Sequence, residues 1–458
     1  MSKKRSTSST AHRGLRICGL ERLEPREMLS AAGLAAIHAQ PTAVRTSGSP
    51  AVAGLSPAQV AHAYGFDQLG NVSRSQAANG AGQTIAIVDA FDDATIKSDL
   101  TTFDGVFGLA AAPSFQVVNQ QGGNSLPSAS PPGDDWTVET SLDVEWAHAM
   151  APGASILLVE ANSDNLSDLL TAVDYARHAP GVSVVSISWG CGEFLQETQL
   201  DGYFTTPAGH GNVSFVAAAG DNGTPGLWPA YSPNVVAVGG TYLQTTGSSG
   251  SYRTEVAWNF GGGGPSQFEW EPGFQAGVQS SGARTIPDVA YDADPRSGFA
   301  VCDSLDPYAI AGWDVIGGTS AGTPQWAALL AIANQERAAS RLPTLRAAAA
   351  DLYQLPIADF QDVTTGSDGF SATAGYDLVT GRGTPYASRI VHALASPSMT
   401  GVQASAQPGQ TDLTVRSLAK LRATRAALDL MIAWDAAEDP QGQGRGAGSS
   451  PPRCDPRS

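Results

Sequence analysis

Between Gly317 and Ala331 the chain reads "GGTSAGTPQWAALLA", and Ser320 within it has the surroundings a nucleophilic hydroxyl needs. Gly317, Gly318, Ala321 and Gly322 are small enough to let another backbone come close. The stretch "QWAALLAIANQERAA" has helical spacing, so a helix is expected after the serine. Pro324 would then fall in its first turn, where a missing N–H costs nothing. Unpaired first-turn amides and the helix dipole would favour negative charge developing beside Ser320. A glycine-rich turn with a Ser or Thr helix cap has the same local pattern. Ser320 therefore needs a proton acceptor elsewhere in the chain to count as a nucleophile.

The histidines are His12, His38, His62, His148, His178, His210 and His392, and none sits in a recognisable catalytic frame. Carboxylates offer an alternative. "WTVETSLDVEWAHAMAPGA" (Trp136–Ala154) reads as one helix, with Val138, Leu142 and Trp146 forming an apolar stripe. Glu139 and Asp143 are four residues apart and so are neighbours on one face. Two adjacent carboxylates repel, which raises at least one pKa and favours sharing a proton. A solvated acidic helix face has the same spacing. A third carboxylate, Asp221, stands in "AAAGDNG" (Ala217–Gly223) at the end of an apolar run, though Asp-Asn-Gly is also an ordinary turn sequence.

These groups need a scaffold. "GQTIAIVDA" (Gly82–Ala90), "GASILLVEA" (Gly153–Ala161), "VSVVSISWG" (Val182–Gly190), "VSFVAAAG" (Val213–Gly220) and "VVAVGG" (Val235–Gly240) are short, continuous apolar runs. Such runs suit a parallel sheet buried on both faces. Helical patterns such as "LSDLLTAVDYARH" (Leu166–His178) separate several of them, which predicts an α/β sandwich with right-handed crossovers. Ligands in such sheets bind at the carboxyl ends of the strands. Asp89, the Ser188-Trp189-Gly190 stretch and Asp221 all fall there.

The chain has 458 residues, enough for one large core with appendages, and no run approaches the ~18 apolar residues of a membrane span. Its formal net charge is -17, which argues against nucleic acid as a partner. The first thirty residues run the other way, with seven Lys and Arg (Lys3 to Arg26) against Glu21, Glu24 and Glu27. Cys18, Cys191, Cys302 and Cys454 match no zinc spacing; a Cys191–Cys302 disulfide stays open.

The chain resembles the sedolisins, serine-carboxyl peptidases with the subtilisin fold. The matching stretches run in family order: "LSPAQVAHAYGF", "GAGQTIAIVDAF", "ETSLDVEWAHAMAPGA", "VVSISWGCGE", "AAAGDNG", "WPAYSPNVVAVGGT", "IPDVAYDADPRSGF" and "GGTSAGTPQWAALLA". The resemblance covers roughly Ala51 to Ser396 and implies an α/β, subtilisin-like three-layer sandwich with a mainly parallel central sheet. It further implies an endopeptidase acting on proteins or peptides at acidic pH. Ser320 would be the nucleophile, Glu139 the general base, Asp143 the group that orients Glu139 and shares its proton, and Asp221 the oxyanion-site acid. Ser188, Trp189 and Gly190 would pair with the substrate backbone. The chemistry suits acid: histidine, with a reference pKa of about 6.5, is protonated at pH 4, whereas a carboxylate near 4.3 is still partly ionised.

The same resemblance implies a calcium loop in "FQDVTTG" (Phe360–Gly366) and "ATAGYDLVTGRGTP" (Ala372–Pro385). Its ligands would be the carboxylates of Asp362 and Asp377 and the carbonyls of Val363, Thr373 and Gly375, all hard oxygen donors. The segment Leu23–Ala39 resembles the "LEPR"-type leader of bacterial surface and secreted proteins, so export is expected. Residues 1–50 are read as leader, 51–398 as the peptidase domain, and 399–458 as a low-complexity tail with one candidate helix. The family usually carries a long amino-terminal propeptide, and fifty residues leave no room for one. A monomer is expected. Two rivals stay open: a non-catalytic relative serving as a surface binding protein, and an ordinary subtilisin using Asp89 and a histidine. The second lacks the His-Gly-Thr context.

Overall fold

The computed structural model describes residues 34, 37–45, 52–73 and 76–396. The tail after Pro397, most of the leader, His12, Cys18 and Cys454 lie outside the described residues. The centre is a sheet of β1 (Thr84–Ala90), β2 (Phe115–Asn119), β3 (Ser155–Ala161), β4 (Val182–Ile187), β5 (Ser214–Ala218), β6 (Val235–Thr246), β7 (Ser251–Ala257) and β8 (Val289–Asp292). Its order is β7-β6-β5-β4-β1-β3-β2, with β8 also paired to β6. All these pairings are parallel except β6 with β7.

The continuous apolar runs have the expected cause. Along β1, Ile85 and Ile87 enter one core while Ala86 and Val88 enter the other. Alternate side chains thus serve both faces of the sheet. Of the helices, α1 (Ile96–Phe107), α2 (Trp136–Met150) and α4 (Thr319–Ala339) send Phe103, Leu142 and Trp326 into the first core. On the other face, α3 (Leu166–His178) buries Leu169, Leu170 and Val173. The result is three layers, helices over sheet over helix.

Four local readings change. The helix expected over Trp136–Ala154 stops at Met150, because Pro152 disfavours helical geometry in the residue before it. The run "VSVVSISWG" splits into β4 and a two-residue strand, Trp189–Gly190, with Ser188 at the break. α4 begins at Thr319, one residue before Ser320, so Pro324 lies inside the helix and not in its first turn; its missing N–H withdraws the helical partner of the Ser320 carbonyl. Finally, part of the stretch read as leader pairs with the body: Gln40–Pro41 and Val44–Arg45 add short strands to it. An extended backbone satisfies its own amides by pairing with an open strand edge.

Cys191 and Cys302 are both buried and both free, so the disulfide left open by the sequence does not form. Among the described residues no helix is long and apolar enough to cross a membrane.

Candidate active site

α4 carries Ser320 in its first turn, behind Gly318 with φ 97°. That left-handed backbone favours glycine, and space demands it too. A Cβ on Gly318 would stand 2.0 Å from the Thr42 carbonyl oxygen and 2.6 Å from Asp221 Oδ2. Gly322, one turn on, lets the helix lie on the sheet; a Cβ there would come within 2.5 Å of the Tyr291 Cβ.

α2 brings Glu139 and Asp143 to the same place. The apolar stripe of Val138, Leu142 and Trp146 is buried, but so are Glu139, Asp143 and Glu145, all fully enclosed. This is not a solvated acidic face. Glu139 Oε2 accepts the Thr42 amide at 2.7 Å. Asp143 Oδ1 accepts the Ser188 hydroxyl at 2.8 Å. The remaining oxygens, Glu139 Oε1 and Asp143 Oδ2, are buried without a protein donor. Burial is the chief cause that pushes both carboxyls well above the usual range, and the charge of Asp89 adds to it. The nearby Ser320 hydroxyl and the Thr42 amide pull Glu139 partway back.

Asp89 sits at the end of β1, fully buried, its pKa pushed up to about 7 by burial and by Asp93. It is a neighbour of the pair and not the partner of a histidine. His148 is buried on α2, where Nε2 contacts the Ala110 carbonyl at 3.0 Å and Asp104 at 3.2 Å. His38, His62 and His392 pair with Asp164, Asp67 and Glu336. His178 and His210 contact the Asp174 and Gly211 carbonyls. Among the described residues no histidine partners Ser320.

Asp221 follows β5, as the strand reading placed it. Thr319 fixes it: the backbone amide and the hydroxyl of Thr319 both donate to Oδ1, each at 2.8 Å. Oδ2 is buried, without a protein donor, and crowds the same face of Gly318 as the Thr42 carbonyl. Burial raises the Asp221 pKa to about 7, against the pull of the two Thr319 bonds. Below that pH the carboxyl carries a proton, and Oδ2 is the free place for it.

Ser320 completes the cluster. Its Oγ is in short contact with Thr42 Oγ1, and it donates to the Ser188 carbonyl at 3.2 Å. Trp189 is locked by its indole N–H on the Val88 carbonyl at 2.8 Å. Gly190 and Trp189 pair antiparallel with Gln40 and Pro41. The structure thus gathers every residue proposed for catalysis and backbone binding around one point. It adds two that sequence reasoning missed, Thr42 and Thr319. Thr319 adjoins the serine and read only as a helix cap; Thr42 carried no signal in a stretch read as leader.

The candidate calcium residues lie on two neighbouring turns. Gly375 N–H donates to both oxygens of Asp362 at 3.1 Å, and Thr373 N–H donates to Asp377 Oδ2 at 2.8 Å. The two carboxylates therefore flank the same three-residue segment. Among the described residues no three His, Cys, Asp or Glu side chains converge as a metal cluster. A cation here would rest on two carboxylates and backbone carbonyls, a donor set of hard oxygen that fits calcium.

Residues 132–353 match the model of the Subtilase family. Kumamolisin of Bacillus sp. (strain MN-32) is 35% identical over 391 residues, covering 76% of this chain and 65% of the relative. Sedolisin of Pseudomonas sp. (strain 101) is 27% identical, covering 68% of this chain and 57% of the relative. The chain thus spans somewhat less than two thirds of the length of these relatives. Among solved structures, Pseudomonas sedolisin, a serine-carboxyl proteinase complexed with two molecules of pseudo-iodotyrostatin, superposes with a TM-score of 0.63 at 26% identity. That match covers 76% of this chain and all of the other.

Proposed function

Since this chain belongs to the sedolisin family of serine-carboxyl peptidases, we propose that it is a serine-type endopeptidase working in acid, with Ser320, Glu139 and Asp143 as its triad and Asp221 as its oxyanion acid. One observation carries the reading. The Ser320 hydroxyl, the Glu139 carboxyl and the unpartnered Asp221 Oδ2 all gather at one residue, Thr42: Glu139 accepts its amide, Ser320 touches its hydroxyl, and Asp221 Oδ2 faces Gly318 beside its carbonyl.

The chemistry follows from where protons can sit. Glu139 Oε1 and Asp143 Oδ2 are buried oxygens without a protein donor, on carboxyls four residues apart on one helix face, so one shared proton would satisfy both and leave a single negative charge on the pair. That charge accepts the Ser320 proton as the oxygen attacks. Asp143 is held by Ser188, and Ser188 also offers its carbonyl to the incoming backbone, so substrate seating and base orientation share one residue. Protonated Asp221 donates to the oxygen that becomes negative, in a buried site where such a bond is strong. Ser188, Trp189 and Gly190 hold the substrate chain as an added strand.

Calcium belongs to the same reading. Asp362 and Asp377, with the carbonyls of Val363, Thr373 and Gly375, would hold it, and it would tie the two turns together. It takes no part in the peptide-bond chemistry. The leader resemblance and the acid chemistry support a secreted or surface location.

The deciding experiment is hydrolysis of a denatured protein at pH 3–5. Wild type is expected to cut it, and Ser320→Ala and Glu139→Gln to lose the activity. A wild-type chain inert throughout that range would instead favour a binding protein built on the same fold.

A further inference from the structure

Past Ser320 the site continues as the edge of a strand, and that edge leads to an exposed apolar turn. The strand Trp313–Gly317 runs into α4 and forms an antiparallel hairpin with Phe299–Cys302. Its other edge is paired at one end, where Val44 lies opposite Gly317 and Arg45 opposite Ile316. Among the described residues no strand continues past Ile316 along that edge, and Trp313, Asp314 and Val315 are half-buried. An edge of this kind accepts an extended chain as an added strand.

The register fixes where such a chain goes. Val44 and Arg45 run antiparallel to Gly317 and Ile316, so a chain in that register moves away from Ser320 toward the hairpin end. Its next three residues lie opposite Val315, Asp314 and Trp313, and those that follow reach the turn of residues 303–312. That turn holds Leu305, Tyr308 and Ile310 at 44%, 68% and 40% exposure, three large apolar side chains in one short stretch, which marks a contact surface.

The turn is braced. Asp303 Oδ1 accepts the Leu305 and Asp306 amides at 2.8 and 3.2 Å, and Asp306 Oδ1 accepts the Tyr308 amide at 2.9 Å. Ile310 and Trp313 exchange backbone bonds at 3.0 and 3.2 Å. Asp99 on α1 accepts the Ser304 amide and hydroxyl, each at 3.0 Å, and the Trp313 ring stacks on Phe103 of α1 with centroids 6.2 Å apart. A side chain presented on so fixed a backbone binds with little ordering cost.

We propose that the open edge at Trp313–Val315 and the turn bearing Leu305, Tyr308 and Ile310 form an accessory surface for the leaving side of an extended polypeptide. Counted from a reacting carbonyl at the place of Thr42, beside Asp221, the turn meets about the seventh to ninth residues past the cut bond. Large apolar residues there are favoured. This rests on the peptidase reading above and adds to it a substrate class, long unfolded chains with apolar stretches; a folded protein cannot lay so many residues along one edge.

The test uses three fluorogenic peptides with identical residues up to the fourth past the bond. One ends there. Two continue to the tenth, with Leu-Phe-Leu or Ser-Gly-Ser at the seventh to ninth positions. At pH 4 wild type should cut the apolar long peptide with kcat/KM at least about tenfold above the other two, chiefly through KM, roughly the worth of one buried apolar side chain. In the variant Leu305→Ser/Tyr308→Ser/Ile310→Ser the three peptides should be cut alike. A ratio within one preparation does not depend on how much of it folds. Tyr308→Ser alone should lower the ratio to about threefold, which keeps the test open if the triple variant does not fold. If wild type cuts the three peptides alike, or the variants keep its ratio, this proposal fails and the peptidase reading stands. If wild type cuts none, both fail. A wild-type dimer that the triple variant separates, with no difference among the peptides, gives the turn to a second copy of this chain and overturns the proposal.

Discussion

Glu139 and Asp143 stand one helical turn apart on α2, both fully buried, and each leaves one carboxyl oxygen without a protein donor. Two such oxygens, with no cation beside them among the described residues, cannot both belong to ionised groups at low cost. In the proposed mechanism the pair shares one proton, and its single negative charge is the base. Glu139→Gln keeps the shape and removes that acceptor, so kcat should fall by about 10²–10⁴, more if the triad acts as a unit. Asp143→Asn should also be damaging, since it removes the shared proton and disturbs the Ser188 contact. A Glu139→Gln enzyme with near-wild-type turnover on a protein substrate would sink the carboxylate triad.

In the proposed mechanism Asp221 sets the alkaline limit. Its pKa, raised to about 7 by burial, means that the carboxyl proton the proposed oxyanion contact needs is present below that pH and lost above it. Activity should therefore decline as pH rises through about 7, and a rate still climbing at pH 8 would contradict this. Asp221→Ala should cost about 10²–10³ in kcat, the usual penalty for one oxyanion donor. Asp221→Asn should be milder. Thr319 donates twice to Oδ1, which forces the amide oxygen to that side and turns the NH₂ to the Oδ2 position. An amide donates at every pH, so the alkaline decline should flatten in this variant.

Much of this site is legible in the sequence because it depends on local rules. Four-residue spacing pairs Glu139 with Asp143, and an apolar run ending at Asp221 places that carboxyl at a strand end. Burial is what spacing cannot supply. The same Glu139–Asp143 spacing would suit a wet surface, and only the packing of α4 and the sheet around α2 excludes water. Thr42 was invisible for a related reason: its place depends on pairing with Trp189–Gly190 and Trp313–Gly317, both remote in sequence. Pro324 misled because the start of α4 is set by Gly318, pressed against Thr42 and Asp221, and not by helix propensity.

The two candidate calcium aspartates should respond differently. Asp377 accepts from Thr373, Val379 and Thr380 and so holds its turn with or without a metal. Asp362 is exposed and, among the described residues, accepts the Gly375 amide alone. In a Ser320→Ala background, calcium at a hundredfold excess over Kd should stabilise the fold by about 2.7 kcal/mol. Asp362→Asn should melt like its parent in chelator and lose the calcium response. Asp377→Ala should melt lower even in chelator. If chelation leaves the parent melting temperature unchanged, the site is not a calcium site.

The whole fold should be an acid-favoured one. Burial raises Glu160 and Glu197 to about 9, Glu269 to about 8 and Asp93 to about 7. In the unfolded chain these groups titrate near 4. Between those limits the folded state binds more protons than the unfolded state, so stability falls as pH rises. Below about pH 4 both states are protonated and this contribution is fully present; it is lost progressively up to about pH 9. Glu160 is the sharpest probe. It is fully buried between Asp92 and Asp93, its Oε1 accepts the Asp93 amide at 3.3 Å, and its Oε2 has no donor. Glu160→Gln keeps the acceptor and cannot ionise. In the Ser320→Ala background, at fixed calcium, the parent melting temperature should drop steadily from pH 4 to pH 8. The Glu160→Gln curve should be shallower over the same range. A parent curve that is flat or rises toward neutrality would show that these carboxyls are not held protonated in the folded protein.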